Sequence, residues 1–78
     1  MSKIAFVGVG RGKHSWVAEI NTNNHPDVVG HDLYLQVRKH GGLMSREVEV
    51  EYDEETFAGR VLVGGYRPVG TFGPMEAA

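Results

Sequence analysis

The fold is decided by residues 46–63, which read REVEVEY (46–52), DEET (53–56) and FAGRVLV (57–63). Acidic and apolar side chains alternate along the first segment, which is typical of a half-buried strand. The polar segment that follows has a normal length for a hairpin loop. Closing the loop there predicts one apolar and one charged face, because a period of two fixes which side chains share a face. The predicted cross-strand pairs are Tyr52 with Phe57, Val50 with Gly59, Val48 with Val61 and Glu49 with Arg60.

A second turn is predicted at Gly41-Gly42, because glycine adopts the positive φ angles that two-residue hairpin turns need. It joins the alternating segment 33–38 to the strand described above. The two turns agree on one apolar face, which consists of Leu33, Leu35, Val37, Val48, Val50, Tyr52, Phe57, Val61 and Val63. A helix over residues 27–40, with Pro26 near its start and glycine at its end, is the competing interpretation. Alternation favours the strand.

The sequence pattern of the N-terminal residues predicts another hairpin. An apolar run from Lys3 to Val9 is followed by the turn GRGK (10–13) and by the segment from His14 to Ile20. This last segment is rich in β-branched and aromatic residues, which favours a strand. A short helix that begins at Ser15 is the alternative. Residues 21–27 are polar and rich in turn-forming side chains, so we expect a surface loop there.

The C-terminal segment is predicted to lie outside the sheet. Gly64-Gly65 would bend the last strand, and residues 66–74 contain too many glycines and prolines for a central strand. We therefore expect residues 66–78 to form an extended C-terminal arm that frays from Met75 onward. Residues 1–78 are predicted to form a single, mostly β domain, a small five-strand antiparallel meander that forms a barrel or a strongly curved sheet, with room for one short helix.

The length, cysteine content and net charge of the chain limit the classes of protein to which it can belong. In a chain of 78 residues a lone hydrophobic core is marginal, and assembly with copies of itself would bury more surface, so we expect a homo-oligomer. The absence of cysteine excludes disulfides and thiolate metal sites. A net charge of −2 argues neither for general affinity for nucleic acid nor for an acidic solvating tail, so it does not indicate a partner. The apolar opening is too short to span a bilayer and is interrupted by Arg11 and Lys13, which predicts a soluble, cytoplasmic protein without a membrane partner.

Residues 4–12, IAFVGVGRG, resemble the opening of nicotinamide-dependent oxidoreductases of the Rossmann type. In that family glycines let the backbone approach a pyrophosphate at a helix N-terminus, and an acid about 20 residues further on binds the ribose. The resemblance implies that Gly8 and Gly10 take two glycine positions and that Asp32 is the acid. The third glycine position holds Lys13. A glycine-rich hairpin turn explains the same residues without a cofactor, and no cofactor is predicted.

The strongest candidate for a binding site is the N-terminal turn. Arg11, Lys13 and His14 place basic side chains beside the aromatic ring of Trp16. Small β domains bind single-stranded nucleic acid or other anions by combining contacts to the charged backbone with aromatic stacking. The alternative is a solvated turn next to a core tryptophan. Residues 38–40 would extend the basic patch if both predicted turns lie at one end of the sheet.

The other polar groups favour structural roles. The acidic run from Glu47 to Glu55 lacks the spacing of a calcium loop. An exposed charged face that discourages edge-to-edge aggregation, or that meets a basic partner, is the better interpretation. The His and Asp side chains of residues 25–32 do not follow the spacing of zinc ligands. Ser15 and His14 would point to opposite faces of a strand, which excludes them as a catalytic pair. We therefore predict no metal and no catalytic residue.

These patterns favour a function without catalysis. The leading hypothesis is a small non-enzymatic binding or assembly module that acts as a homo-oligomer, because its apolar side chains exceed what one side of a small sheet buries. The second hypothesis is binding of an anion or of single-stranded nucleic acid through the turn from Arg11 to Trp16. The third is a small enzyme whose site forms at a subunit interface, with His14, His31 or His40 as acid and base groups.

Overall fold

The computed structural model describes residues 2–43, 46–64 and 67–75. Within these ranges the elements are β1 (Ser2–Val9), β2 (His14–Ile20), α1 (Pro26–His40), β3 (Val48–Tyr52), β4 (Gly59–Val63) and β5 (Arg67–Pro74). The described strands form one antiparallel sheet of five in the order β2-β1-β5-β4-β3, which confirms the predicted mostly β class. The meander prediction is wrong, because β5 lies between β1 and β4. The sheet is open at β2 and β3, so it does not close into the predicted barrel.

The N-terminal hairpin has the predicted strands. β1 pairs with β2 in antiparallel register with Phe6 opposite Trp16, so the short helix from Ser15 is not formed. The register shifts between Phe6 and Val9, where β1 contains an extra residue. Gly8 has a φ of +63° at this bulge, a conformation that glycine adopts without a Cβ clash. The bulge places Phe6 and Val9 on the same buried face of the sheet.

α1 replaces the strand predicted at residues 33–38, and that prediction is wrong. The buried side chains of the helix are Val29, Leu33 and Val37, which recur every four residues and form one stripe against the sheet. Leu33 and Val37 fit a period of two and a period of about 3.6 equally well, so their spacing alone does not separate strand from helix. Leu35, which only the alternating pattern places in the core, is 48% exposed.

Both ends of α1 carry signals that favour a helix. Nδ1 of His25 accepts a hydrogen bond from the backbone N–H of Asp27 at 3.2 Å, and Pro26 lies in the first turn. Basic side chains at residues 38–40 complement the partial negative charge of the helix C-terminus. The N–H of Gly41 donates to a carbonyl oxygen one turn earlier at 2.8 Å. Gly41 therefore ends the helix, and the hairpin turn predicted at Gly41-Gly42 is wrong.

α1 lies across one face of the sheet. Its 15 residues span roughly 22 Å at about 1.5 Å per residue, and five strands about 4.8 Å apart span roughly 19 Å. The helix contacts both edge strands, β2 and β3, and so covers this face from edge to edge. The core between helix and sheet consists of Ile4, Phe6, Val9, Ala18, Ile20, Val29, Leu33, Val37, Val48, Val61, Val63 and Phe72.

The hairpin of β3 and β4 has the predicted faces but a different register. Val50 lies opposite Val61, whereas the prediction placed it opposite Gly59. A shift of two residues leaves each side chain on its predicted face, because the pattern repeats every two residues. Val48 and Val61 are accordingly buried, and Glu49 is exposed.

A longer loop than predicted causes this shift. The N–H of Asp53 donates to the carbonyl oxygen of Ala58 at 3.0 Å, and the N–H of Phe57 donates to that of Asp53 at 2.7 Å. The side chain of Asp53 also accepts a hydrogen bond from the N–H of Glu55 at 2.7 Å, which stabilises the turn. Phe57 has a φ of +60°, outside the range of a strand, so pairing begins only at Gly59.

The arm prediction is wrong for Arg67–Pro74, because these residues form β5 in the middle of the sheet. The N–H of Met75 donates to the carbonyl oxygen of Lys3 at 2.8 Å, so the strand pairing is followed by one more ordered contact. Tyr66, the predicted first residue of the arm, and residues 76–78 of its predicted frayed end lie outside the described residues.

The glycines and prolines of β5 occupy positions that tolerate them. Pro68 precedes Val69, where the register between β4 and β5 shifts and regular pairing is interrupted. Pro74 is the last residue of the strand. A Cβ added at Gly70 would lie 2.8 Å from the Cα of Val9, so the absence of a side chain there permits close approach to β1. The glycines and prolines of β5 are therefore compatible with a central strand.

The side chain of Tyr52 ties β3 to the start of α1. Its hydroxyl donates a hydrogen bond to the carbonyl oxygen of Pro26 at 2.9 Å. We expect Tyr52→Phe to lower the free energy of unfolding by about 0.5–1.5 kcal/mol, the usual net contribution of one hydrogen bond. Urea denaturation measures this change. Tyr34→Phe is the matched control, because the Tyr34 hydroxyl has no hydrogen bond to another described residue; an equal loss in both variants would contradict the assignment.

The same contact predicts a dependence on alkaline pH. Burial, followed by the carboxylates of Glu54 and Asp27, raises the pKa of Tyr52 above its ordinary value of 10.0. The stabilisation is therefore fully present below the pKa of the unfolded chain and is lost as the pH rises through the higher folded pKa. We expect the stability difference between the wild type and Tyr52→Phe to be constant near neutral pH and to shrink above about pH 10.

Candidate anion-binding site

Three cationic side chains surround a shallow groove beside the β1–β2 turn. Arg11 and Lys13 belong to this turn, and Arg67 is the first residue of β5. The N–H of Gly10 donates to the carbonyl oxygen of Val69 at 2.8 Å, which holds the turn against the beginning of β5. The groove has a volume of about 320 Å³ and is lined by Gly8, Gly10, Arg11, Lys13, Arg67, Pro68, Val69 and Gly70.

The backbone of the turn is tightly constrained. Gly10 has a φ of +76°, and a Cβ added there would lie 2.5 Å from the carbonyl oxygen of Gly41. The N–H of Lys13 donates to the carbonyl oxygen of Gly10 at 3.2 Å, and Lys13 itself has a φ of +47°. A lysine in this left-handed conformation is less favourable than a glycine by about 1 kcal/mol. The hydrogen bond from Lys13 to Gly10 closes the turn, and Arg11 and Lys13 lie beside the groove.

The charges of the groove have no acidic partner in the described part of the chain. Arg11, Lys13 and Arg67 are exposed, and none of them forms an ion pair with another described residue. Cations that share a concave surface repel one another, and their fields add at its centre. The groove is therefore suited to bind an anion.

A larger concavity at the β3–β4 hairpin is less suited to a charged ligand. It has a volume of about 470 Å³ and is lined by Glu51, Tyr52, Asp53, Ala58, Gly59, Arg60 and Thr71. Nη2 of Arg60 lies 3.2 Å from a carboxylate oxygen of Glu51, so these two charges satisfy each other. The sequence predicted Arg60 to face Glu49, and the longer loop moves it to Glu51.

The structure brings together only two of the four residues predicted to bind a ligand. Arg11 and Lys13 line the groove, whereas His14 and Trp16 do not. The imidazole of His14 lies against the backbones of Gly12 and Gly42, since a Cβ added at either glycine would come within 2.9 Å of its Nε2. His14 therefore contacts both the β1–β2 turn and the segment that follows α1.

Trp16 packs on the side of the sheet that α1 covers. Its ring stacks on Phe6 at a centroid distance of 4.6 Å and meets the imidazole of His40 at 5.4 Å. Its Nε1 is buried and has no hydrogen-bond partner among the described residues. A ring held between these neighbours does not offer an open face to a base at the groove, so the aromatic half of the predicted nucleic-acid site is not assembled there.

The predicted extension of the basic patch is also not part of the groove. The guanidinium of Arg38 lies 6.0 Å from the ring centroid of Tyr34, and His40 contacts Trp16. His31 lies beside Tyr34 at a centroid distance of 6.3 Å. The side chains of Arg38, His40 and His31 all belong to α1, and no residue of α1 lines the groove.

Sequence reasoning missed Arg67. Its position in the groove depends on the pairing of β5 with β1, in which Val7 lies opposite Thr71. Nothing in the local pattern around Arg67 signals this pairing, because the two strands are far apart in the chain and the glycines and prolines of β5 indicated a segment outside the sheet.

The resemblance to Rossmann-type enzymes does not extend to the structure. Gly8 lies in the β1 bulge, and Gly10 begins a turn that leads into the antiparallel strand β2. The family requires a helix directly after this turn, with its N-terminus at the pyrophosphate. Asp32 lies within α1. The glycine-rich hairpin turn is therefore the correct interpretation of these residues.

Within residues 2–43, 46–64 and 67–75, no three His, Cys, Asp or Glu side chains are grouped as the ligands of a metal ion. In the same ranges, no helix has the length and the apolar character needed to cross a bilayer. Comparison of the chain with protein-family models, with curated proteins and with solved structures gives no match.

Proposed function

We propose that this chain is a small non-enzymatic binding module whose groove binds an anionic ligand through Arg11, Lys13 and Arg67. The observation that carries this proposal is the convergence of three exposed cations without an acidic partner among the described residues. Two guanidinium groups and one ammonium group suit a phosphate best, because arginine binds phosphate oxygens in a bidentate manner and lysine adds a compact point charge.

Calorimetric titration with inorganic phosphate tests the proposal. We expect Arg67→Ala to weaken phosphate binding about tenfold, the effect of losing one charge-assisted hydrogen bond. Arg46→Ala is the matched control, because Arg46 is exposed and does not line the groove. The affinity should fall as the NaCl concentration rises. Absence of phosphate binding by the wild type, or an equal loss in the control, would overturn the proposal.

A second groove variant separates binding from stability. Lys13→Gly removes one cation and also relieves the positive φ of Lys13, so we expect weaker phosphate binding with an unfolding midpoint at least as high as that of the wild type. Weaker binding that accompanied a lower midpoint would point to a damaged fold, and unchanged phosphate binding would exclude Lys13 from the site.

Single-stranded nucleic acid offers the same phosphate chemistry and is distinguished by Trp16. Because the Trp16 ring stacks on Phe6 and lies beside His40, an oligonucleotide that binds only through phosphates should leave its fluorescence unchanged. A salt-dependent change in that fluorescence on titration with oligothymidylate would instead support base stacking and a nucleic-acid ligand.

Self-association through β2 is a second candidate function, and the charges at the two edges of the sheet favour it. β3 exposes Glu49 and Glu51, which would repel their copies in a paired edge. β2 exposes Ser15, Val17 and Glu19. An antiparallel two-fold pairing centred on Val17 would place Val17 opposite its copy and Ser15 opposite Glu19, with no like charges facing each other.

We expect Val17→Lys to dissociate such a dimer, because it places two ammonium groups opposite each other at the centre of the pairing. Sedimentation at micromolar concentration measures the change. Val7→Lys is the control, since Val7 is a comparably exposed valine on β1, which has strands on both sides. A wild type that sediments only as a monomer would exclude self-association.

A further inference from the structure

The cationic groove continues into an apolar concavity. This second concavity has a volume of about 330 Å³ and is lined by Gly10, Arg11, Gly42, Leu43, Val63, Arg67 and Val69. It shares Gly10, Arg11, Arg67 and Val69 with the groove. Arg11 and Arg67 therefore lie at the boundary between a charged and an apolar surface.

The walls of the apolar concavity come from three aliphatic side chains. Leu43 and Val69 are half-buried and pack against the core, so each keeps part of its surface open to the concavity. Val63 is only 7% exposed and forms the best buried part of the lining. Gly42 contributes backbone atoms to the lining. An uncharged apolar group would remove this surface from water.

We propose that the ligand of the groove is amphiphilic: a small soluble phosphate monoester whose aromatic or short aliphatic group occupies the concavity of Leu43, Val63 and Val69. This inference rests on the proposed anion site. Arg11 and Arg67 would hold the phosphate at the shared boundary, and the ester group would lie on the apolar side. A volume of about 330 Å³ is at the lower end of known ligand cavities, which limits the group to about the size of one ring.

The test compares phenyl phosphate with inorganic phosphate by calorimetric titration of the full chain. We expect phenyl phosphate to bind about tenfold more tightly, because burial of a ring adds hydrophobic free energy to the same ionic contacts. Leu43→Ala should remove this advantage and leave the affinity for inorganic phosphate unchanged. Leu35→Ala should affect neither ligand, since Leu35 is exposed on α1 and does not line the concavity. Leu43→Val, a smaller truncation at the same position, should remove part of the advantage if Leu43→Ala does not fold.

The outcomes separate this inference from the proposed function. If inorganic phosphate binds and phenyl phosphate binds no more tightly, the amphiphilic ligand is excluded while the anion site stands. If neither binds, the anion site itself is excluded. Vesicles of phosphatidylcholine with phosphatidic acid provide a further comparison: if inorganic phosphate binds but phenyl phosphate binds no more tightly, cosedimentation of the protein with these vesicles would assign the phosphate to a lipid headgroup and overturn the soluble ligand.

Discussion

Thr71→Pro is expected to abolish folding. Thr71 lies in the middle of β5, opposite Val7 of β1 and opposite Arg60 of β4. Proline has no N–H to donate and its ring crowds the neighbouring strand, so it is excluded from strands that pair on both sides. The loss divides the sheet into two hairpins, and an isolated two-stranded hairpin is marginally stable at best.

Circular dichroism and thermal melting measure this effect. Thr71→Val is the matched control, because the Thr71 side chain is exposed and valine favours strands, so the control should melt within a few degrees of the wild type. A proline variant that melted like the wild type would show that residues 67–74 pack outside the sheet and would overturn the strand order β2-β1-β5-β4-β3.

Gly59→Ala is expected to destabilise the chain by about 3 kcal/mol or more, at the upper end of overpacking. A Cβ added at Gly59 would overlap the carbonyl oxygen of Glu51 and would lie 2.7 Å from the Cα of Tyr52 and 2.8 Å from the Cζ of Phe72. Two of these neighbours are backbone atoms of the paired strand β3, so the clash cannot be relieved by rotating a side chain. In a small domain with a free energy of unfolding of about 5–10 kcal/mol, this substitution would remove a large part of the total stability.

Gly73→Ala is the matched control for this substitution. Gly73 is also a strand glycine, but its added Cβ would lie 3.5 Å from the Cβ of Ala58, an ordinary van der Waals distance. We expect its free energy of unfolding in urea to remain within about 0.5 kcal/mol of the wild type. Equal urea midpoints for Gly59→Ala and Gly73→Ala would contradict the close packing of β3 against β4.

The two hairpins were predictable from the sequence because their patterns are local. The valines of β3 and β4 recur every two residues, and this period assigns their faces even where the loop around Phe57 shifts the register. The helix was not predictable in the same way. Leu33 and Val37 fit the strand pattern and the helix pattern equally well. The capping residues His25 and Gly41, at the two ends of α1, are the features that favour the helix over the strand.

The central strand and one of the three cations of the site could not be predicted from local patterns. β1 and β5 pair although they lie near opposite ends of the sequence. The close contact between Gly70 and Val9 depends on this pairing, so the sequence around either residue does not predict it. Arg11 and Lys13 were identified from their turn, whereas Arg67 joins them only through this distant pairing. Trp16 was grouped with them by proximity in sequence, and its ring instead stacks on Phe6.

The position of β5 also has a consequence for synthesis on the ribosome. The β1–β2 hairpin, α1 and the β3–β4 hairpin all emerge before β5, and within the described sheet β5 is the strand that joins β1 to β4. Until residues 67–74 leave the exit tunnel, β1 and β4 each present an unpaired edge beside apolar side chains such as Phe6 and Val61. Nascent chains that stall at this stage are the species most prone to aggregate and most dependent on chaperones.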